Sequence, residues 1–207
     1  MIRTNVKITT HFVHRFLIPF KRMNSLADVV KAADFAARKH KDQRRKAADQ
    51  IPYINHPIGV AHSLMSEGGI DDPVVIQAAL LHDTVEDTDT TLDEIEEHFG
   101  KSVRDVVKEV TDDKNLPKAE RKRLQIVNAP HKSPQAKLVK LADKLYNLRD
   151  LQRLPPDDWS ETRIHEYFVW ASYVVHGLKG TNEKLETKLA EVLAERNVEI
   201  APPPSSI

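Results

Sequence analysis

The chain has 207 residues, 31 basic against 31 acidic side chains, no cysteine and six glycines. That length is enough for one domain with a substantial core, and no run of apolar residues reaches the length of a membrane span. Without cysteine there are no disulfides, zinc–thiolate sites or thiol nucleophiles, so any bound metal must be held by nitrogen and oxygen.

The balanced charge is unevenly spread. Residues 1–23 hold Arg3, Lys7, Arg15, Lys21 and Arg22 and no acid, which leaves the remaining chain at 26 basic against 31 acidic residues. A mildly acidic body argues against a nucleic-acid binder, which needs a clustered basic face. The first 22 residues resemble in part a mitochondrial transit segment, but Arg is sparse, Pro19 interrupts and Met23 can start the domain. We expect residues 1–23 to be a disordered extension and the protein to be cytoplasmic, mitochondrial import being the alternative.

From Ser25 onward the pattern is helical. Ser25 with Asp28 reads as an N-cap, and Leu26, Val29, Val30, Ala33, Ala36 and Ala37 keep helical spacing into the basic cluster 39–46. Pro52 to Pro57 is a turn, its second proline suited to the first position of a helix that ends at Gly68–Gly69. Asp72–Pro73 opens the next helix, which is expected to continue through Ala78-Ala79-Leu80-Leu81-His82-Asp83-Thr84-Val85-Glu86-Asp87. Thr91 to Glu94 is a capping box for a short helix stopped by Gly100. Further helices are expected from Ser102 to Val110, Lys118 to Ala129, Ser133 to Leu151, 159 to 179, and Asn182 to Arg196. No segment alternates as a strand and there is no internal repeat. The expected fold is all-α, a single bundle of roughly ten helices over residues 24–197, with a Pro/Ser-rich tail at 198–207.

The stretch from Ala78 to Asp87 is the focus. An apolar run ends directly in His82 and Asp83, and on one helix Asp83 lies beside Glu86 and Asp87. A His-Asp dipeptide is expected by chance about once in a chain of this composition, so alone it means nothing. His56, held between Asn55 and Pro57, and Asp143, in an otherwise inward-facing Leu141-Ala142-Asp143-Lys144-Leu145, could join it. Each has an ordinary reading: a packing histidine, or a surface ion pair of Asp143 with Lys144. Histidine nitrogen with carboxylate oxygen suits Mn, Fe or Zn, and carboxylate-rich sets lean towards Mn or Mg. The Arg44-Arg45-Lys46 cluster is either a solvated helix end or an anion site, and an acidic metal site beside basic side chains is what phosphoryl chemistry needs.

The order His56, His82-Asp83, Asp143 resembles the H…HD…D signature of HD-domain metal phosphohydrolases. Longer words narrow it. Arg44-Arg45-Lys46, Pro52 to Pro57, Ala78 to Asp87, Glu109 to Lys114 and Lys140 to Arg149 resemble the hydrolase domain of the RelA/SpoT family, most of all its small stand-alone metazoan form. The similarity covers about residues 25–197, and no synthetase domain is expected. The resemblance implies Mn²⁺-dependent hydrolysis of guanosine 3′,5′-bis(diphosphate) to GDP and pyrophosphate, with a nucleotide as the only partner and no nucleic acid or membrane. Nothing in the sequence sets the oligomeric state. By motif, His56, His82, Asp83 and Asp143 are the metal ligands, and Glu86 with Asp87 works on the attacking water. Arg45, Lys46, Asn147, Arg163 and Tyr167 contact the nucleotide; Tyr53 is read as packing. The resemblance also admits NADPH, which bears a ribose 2′-phosphate, as substrate. Rival readings are another HD nucleotide phosphohydrolase, a non-catalytic nucleotide sensor that would have lost part of this set, and a metal-free helical adaptor.

Overall fold

The computed structural model describes residues 26–46 and 50–205. Ser25 and residues 1–23, and with them the N-cap and extension readings, lie outside the described residues. Among the described residues ten α-helices follow in order: α1 (Leu26–Lys39), α2 (Asn55–Ser66), α3 (Pro73–Leu81), α4 (Thr84–Asp87), α5 (Leu92–Phe99), α6 (Lys101–Val110), α7 (Lys118–Asn128), α8 (Pro134–Arg153), α9 (Glu161–Leu178) and α10 (Glu183–Ala194). A 3₁₀ turn, Ala129–His131, joins α7 to α8. Among the described residues the only β pairing is an isolated antiparallel bridge between Arg44 and Pro52.

Two helices organise the bundle. The sequence of α3, Pro-Val-Val-Ile-Gln-Ala-Ala-Leu-Leu, has no polar face, and every residue from Val75 to Leu81 is buried. A helix apolar all round must be surrounded, and α3 packs against α1, α2, α6 and α8. It starts cleanly because the Asp72 carboxylate accepts from the Val74 N–H at 2.9 Å and Pro73 gives up no donor. The second organiser, α8, packs against α2, α3, α6, α9 and α10. Its N-cap Ser133 accepts from Ala136 N–H at 3.2 Å. The expected cap at Thr91 also forms, accepting from Glu94 N–H, and Asn182, read as the first residue of its helix, caps it instead, accepting from Leu185 N–H.

The expected single helix from Pro73 through Asp87 is interrupted at His82 and Asp83. Two side chains there take carbonyls that would otherwise serve the helical ladder: His82 Nδ1 bonds Ala79 O at 2.7 Å and Thr84 Oγ1 donates to Leu81 O at 2.7 Å. One helical turn resumes, with Asp87 N–H donating to Asp83 O at 2.8 Å.

Helix α2 starts at Asn55 rather than at Pro57, which occupies the first turn, where its missing N–H costs nothing. It lies very close to α8. A Cβ on Gly59 would stand 1.9 Å from the Tyr146 ring, so only glycine lets the two helices meet there. That approach lays Tyr146 against His56, with ring centroids 5.2 Å apart. Residues 195–205 are not helical, but Val198 is buried and Ile200 packs against the core. No described helix is long and apolar enough to cross a membrane.

Candidate active site

Three mutually packed helices bring four side chains to one point: His56 from α2, His82 and Asp83 from the end of α3, Asp143 from the middle of α8. The two imidazole Nε2 atoms are 3.3 Å apart. Asp143 Oδ1 is 3.3 Å from His56 Nε2 and 3.7 Å from His82 Nε2. Asp83 Oδ2 is 3.5 and 3.2 Å from the same two nitrogens. The donor atoms of His56, His82 and Asp143 all lie within 4.8 Å of one another, and Asp83 reaches both histidines from its own side.

This set fits a divalent ion. With metal bonds of about 2.0–2.2 Å to nitrogen and oxygen, neighbouring ligand atoms stand roughly 3.0–3.6 Å apart. Because Ala79 O can only accept, His82 Nδ1 carries a hydrogen there and Nε2 points into the cluster, the arrangement in which a backbone carbonyl orients a ligating histidine.

The electrostatics agree. Burial works against a charge on His82, yet Asp83 and Asp143 push its pKa up to about 10. Burial lowers His56 instead. Burial would raise Asp83 as well, but neighbouring His82 holds it well below the usual carboxylate range. Asp143 is likewise held low against its burial, first by Lys144 and then by the two histidines.

The ordinary reading of Asp143–Lys144 as a surface pair does not hold. Lys144 Nζ donates to Asp143 Oδ2 at 3.0 Å with both side chains at least nine-tenths buried. The ammonium also lies 4.8 Å from the centroid of Trp170. Asp143 Oδ1 accepts from Asn147 Nδ2 at 2.6 Å. On the other side, Tyr53 donates its hydroxyl to Asp83 Oδ2 at 2.6 Å and stands 3.4 Å from Asp87 Oδ2. Burial, followed by Asp83, raises the Tyr53 pKa, which keeps the phenol protonated as a donor.

A cavity of about 360 Å³ opens beside the cluster, lined by Arg45, Lys46, Tyr53, Asp87, Asn147 and Tyr167 among others. Short backbone bonds between residues 43–45 and 51–53 seat Arg45 next to Tyr53, its guanidinium 5.5 Å from the ring centroid. Arg45 Nη2 donates to Asn147 Oδ1 and Asp150 Oδ2, each at 2.9 Å. Lys46 is exposed at the rim. Arg163 does not line the cavity. It lies over Trp159, 4.2 Å from guanidinium carbon to ring centroid, and Trp159 does line it. Glu86 does not line the cavity; its carboxylate accepts from Asp112 N–H at 3.1 Å and from Arg121 at 3.2 Å. Burial, with Asp112, Asp83 and Asp87 nearby, raises its pKa.

Sequence reasoning missed five of these side chains. Tyr53 reads as packing and Lys144 as half of a surface pair; Asp150, Trp159 and Arg121 give no local signal, because what each meets lies on another turn or helix.

The sequence matches the HD-domain family over residues 32–173. The chain belongs to the HD-domain family. Among HD-domain relatives, guanosine-3′,5′-bis(diphosphate) 3′-pyrophosphohydrolase MESH1 of Homo sapiens is 66% identical, covering 84% of this chain and 97% of that protein. MESH1 of Drosophila melanogaster is 52% identical, covering 83% and 96%. The solved structure of a metazoan ortholog of SpoT, described as hydrolyzing ppGpp and playing a role in starvation responses, superposes with a TM-score of 0.82 at 51% identity, covering 84% of this chain and 98% of that one. The resemblance to the RelA/SpoT hydrolases and their stand-alone metazoan form is therefore borne out, as is the all-α HD-domain bundle.

Proposed function

We propose that residues 24–197 form a Mn²⁺-dependent hydrolase of guanosine 3′,5′-bis(diphosphate), yielding GDP and pyrophosphate. The observation that carries this reading is the direct linkage of a four-residue nitrogen–oxygen cluster to a basic cavity, through Asn147 and Tyr53. The activity named for MESH1 and the metazoan SpoT ortholog supports the choice of substrate.

His56, His82, Asp83 and Asp143 are the ligands in this reading. A divalent ion bound there supplies Lewis-acid charge and a water of lowered pKa. Arg45 and Lys46 hold the 3′-diphosphate, Arg45 exchanging Asp150 for phosphate oxygens with little change of pose. Asn147 and Tyr167 meet the nucleotide in the cavity, and Arg163 braces it from behind Trp159. Glu86 and Asp87 move the proton. Water adds to the 3′ phosphorus, the bond from phosphorus to the ribose 3′ oxygen breaks, and the proton removed from the water reaches that oxygen. A carboxylate whose pKa is raised by burial, as that of Glu86 is, suits such a relay.

Incubating the Mn²⁺-loaded protein with guanosine 3′,5′-bis(diphosphate) and, separately, with NADPH tests the reading, with products identified for each. Pyrophosphate and GDP are expected from the first. Their absence overturns the proposal, and inorganic phosphate from NADPH alone moves the assignment to its 2′-phosphate. Asp83→Ala is expected to lose both metal and turnover, whereas Glu86→Gln keeps the metal and loses turnover. A sensor would bind nucleotide without releasing either product. Cytoplasmic location goes with this reading; fractionation of cells expressing the protein with and without residues 1–22 decides against import.

A further inference from the structure

Glu86 is gripped from the side of α7, and nothing in the reaction above uses that grip. Arg121 of α7 donates from Nη1 to Glu86 Oε1 at 3.2 Å, and the backbone N–H of Asp112 donates to Oε2 at 3.1 Å. One turn further along α7, Gln125 donates to the Asp112 carboxylate. Two residues of one helix thus fasten the connector 111–117 and the short helix α4 together.

Burial decides how much the grip matters. The Arg121 and Glu86 side chains are 26% and 18% exposed, whereas Lys114, which pairs with Asp87, is 49% exposed. An exposed pair is screened and flexible, while a mostly buried, hydrogen-bonded one holds its geometry. Arg121 also keeps its Nε buried without an acceptor, a destabilising arrangement that the side chain would shed if it were free to turn. A free glutamate has three torsions to order. With one donor on each oxygen, the carboxylate is fixed and two of its roughly four lone-pair directions remain open for a proton.

We infer that Arg121 is a positioning residue for Glu86: its hydrogen bond, with that of the Asp112 N–H, fixes where the carboxylate stands. The inference rests on Glu86 as the proton carrier proposed above.

Steady-state kinetics on Mn²⁺-loaded Arg121→Gln, Arg121→Lys, Glu86→Gln and the Arg121→Gln/Glu86→Gln pair test it, with metal content and Tm measured on each. Arg121→Gln is expected to lower kcat by about tenfold or more with KM within about threefold, the split of an interaction used only in the transition state. Arg121→Lys should recover most of that loss, and the double variant should match Glu86→Gln, because residues acting as one unit are not additive. Arg123→Gln, which loses an exposed pair with Glu120 on the same helix, should leave kcat unchanged. Wild-type kcat in Arg121→Gln overturns the inference, as does an equal further loss in the Glu86→Gln background. If Arg121→Gln does not fold, Arg121→Lys with and without Glu86→Gln reads the same coupling and overturns or supports it on the same terms. Wild-type turnover in Glu86→Gln instead overturns the reading of Glu86, and this inference with it.

Discussion

Asn147 holds Asp143 and Arg45 at once: its amide nitrogen donates to Asp143 Oδ1 at 2.6 Å while its amide oxygen accepts from Arg45 Nη2 at 2.9 Å. One planar side chain, a turn beyond Asp143 on α8, therefore ties the nitrogen–oxygen cluster to the basic wall of the cavity. Asn147→Leu keeps the branched shape and removes both bonds. Metal affinity is expected to fall about tenfold or more, as when other groups that orient ligands are lost, and KM to rise as Arg45 loses its seat. Metal titration together with steady-state kinetics separates the two effects; a variant changed in neither shows the link to be idle.

Tyr53→Phe deletes one oxygen and little else. Asp83 Oδ2 loses its 2.6 Å donor, and Mn²⁺ affinity should fall by about one order of magnitude. The ring still packs on His40, 4.8 Å between centroids, so thermal unfolding should shift by only a few degrees. Isothermal titration with the metal and a Tm measurement check both halves.

The cluster should also respond to pH. His82, with its pKa raised to about 10, must give up a proton to accept a metal, so metal affinity is expected to rise by up to about tenfold per pH unit above neutrality. In the metal-free protein the sign for stability is opposite. A raised histidine contributes fully below its unfolded pKa of about 6.5, and that contribution is lost as pH climbs through about 10. Asp83 and Asp143, held low, contribute above the ordinary carboxylate range and lose that contribution as the pH falls towards their folded values. Tm measured from pH 7 to 9 should fall more steeply with chelator than with Mn²⁺.

Gly59→Ala forces a methyl into the Tyr146 ring, 1.9 Å from its nearest carbon. Both helices must separate, and the expected cost is about 1–3 kcal/mol, the range for overpacked cores. Tyr146→Ala in the same chain should recover part of it by opening the space. Chemical denaturation of the two single variants and the double variant measures the coupling.

Much of the fold could be read before any coordinates. Helix caps at Asp72, Thr91, Ser133 and Asn182 are local signals, and local signals are what a sequence carries best. The break at His82–Asp83 was not readable, because it depends on His82 and Thr84 turning back onto carbonyls of the preceding turn. Among site residues, His56, His82, Asp83 and Asp143 stood out by order and setting. Arg121 and Asp150 did not. In sequence each is one more charge on a charged helix, and its partner lies 35 or 105 residues away.

The spacing along α8 has a consequence for what can be cut. Asp143 touches the cluster, and Asn147 and Asp150 hold Arg45. At 1.5 Å per residue these three positions span about 10 Å of one rigid, largely buried rod. The rod works as a gauge. In the proposed function, a substrate held by Arg45 and cut at the cluster must place its phosphorus at the reach this rod sets between them.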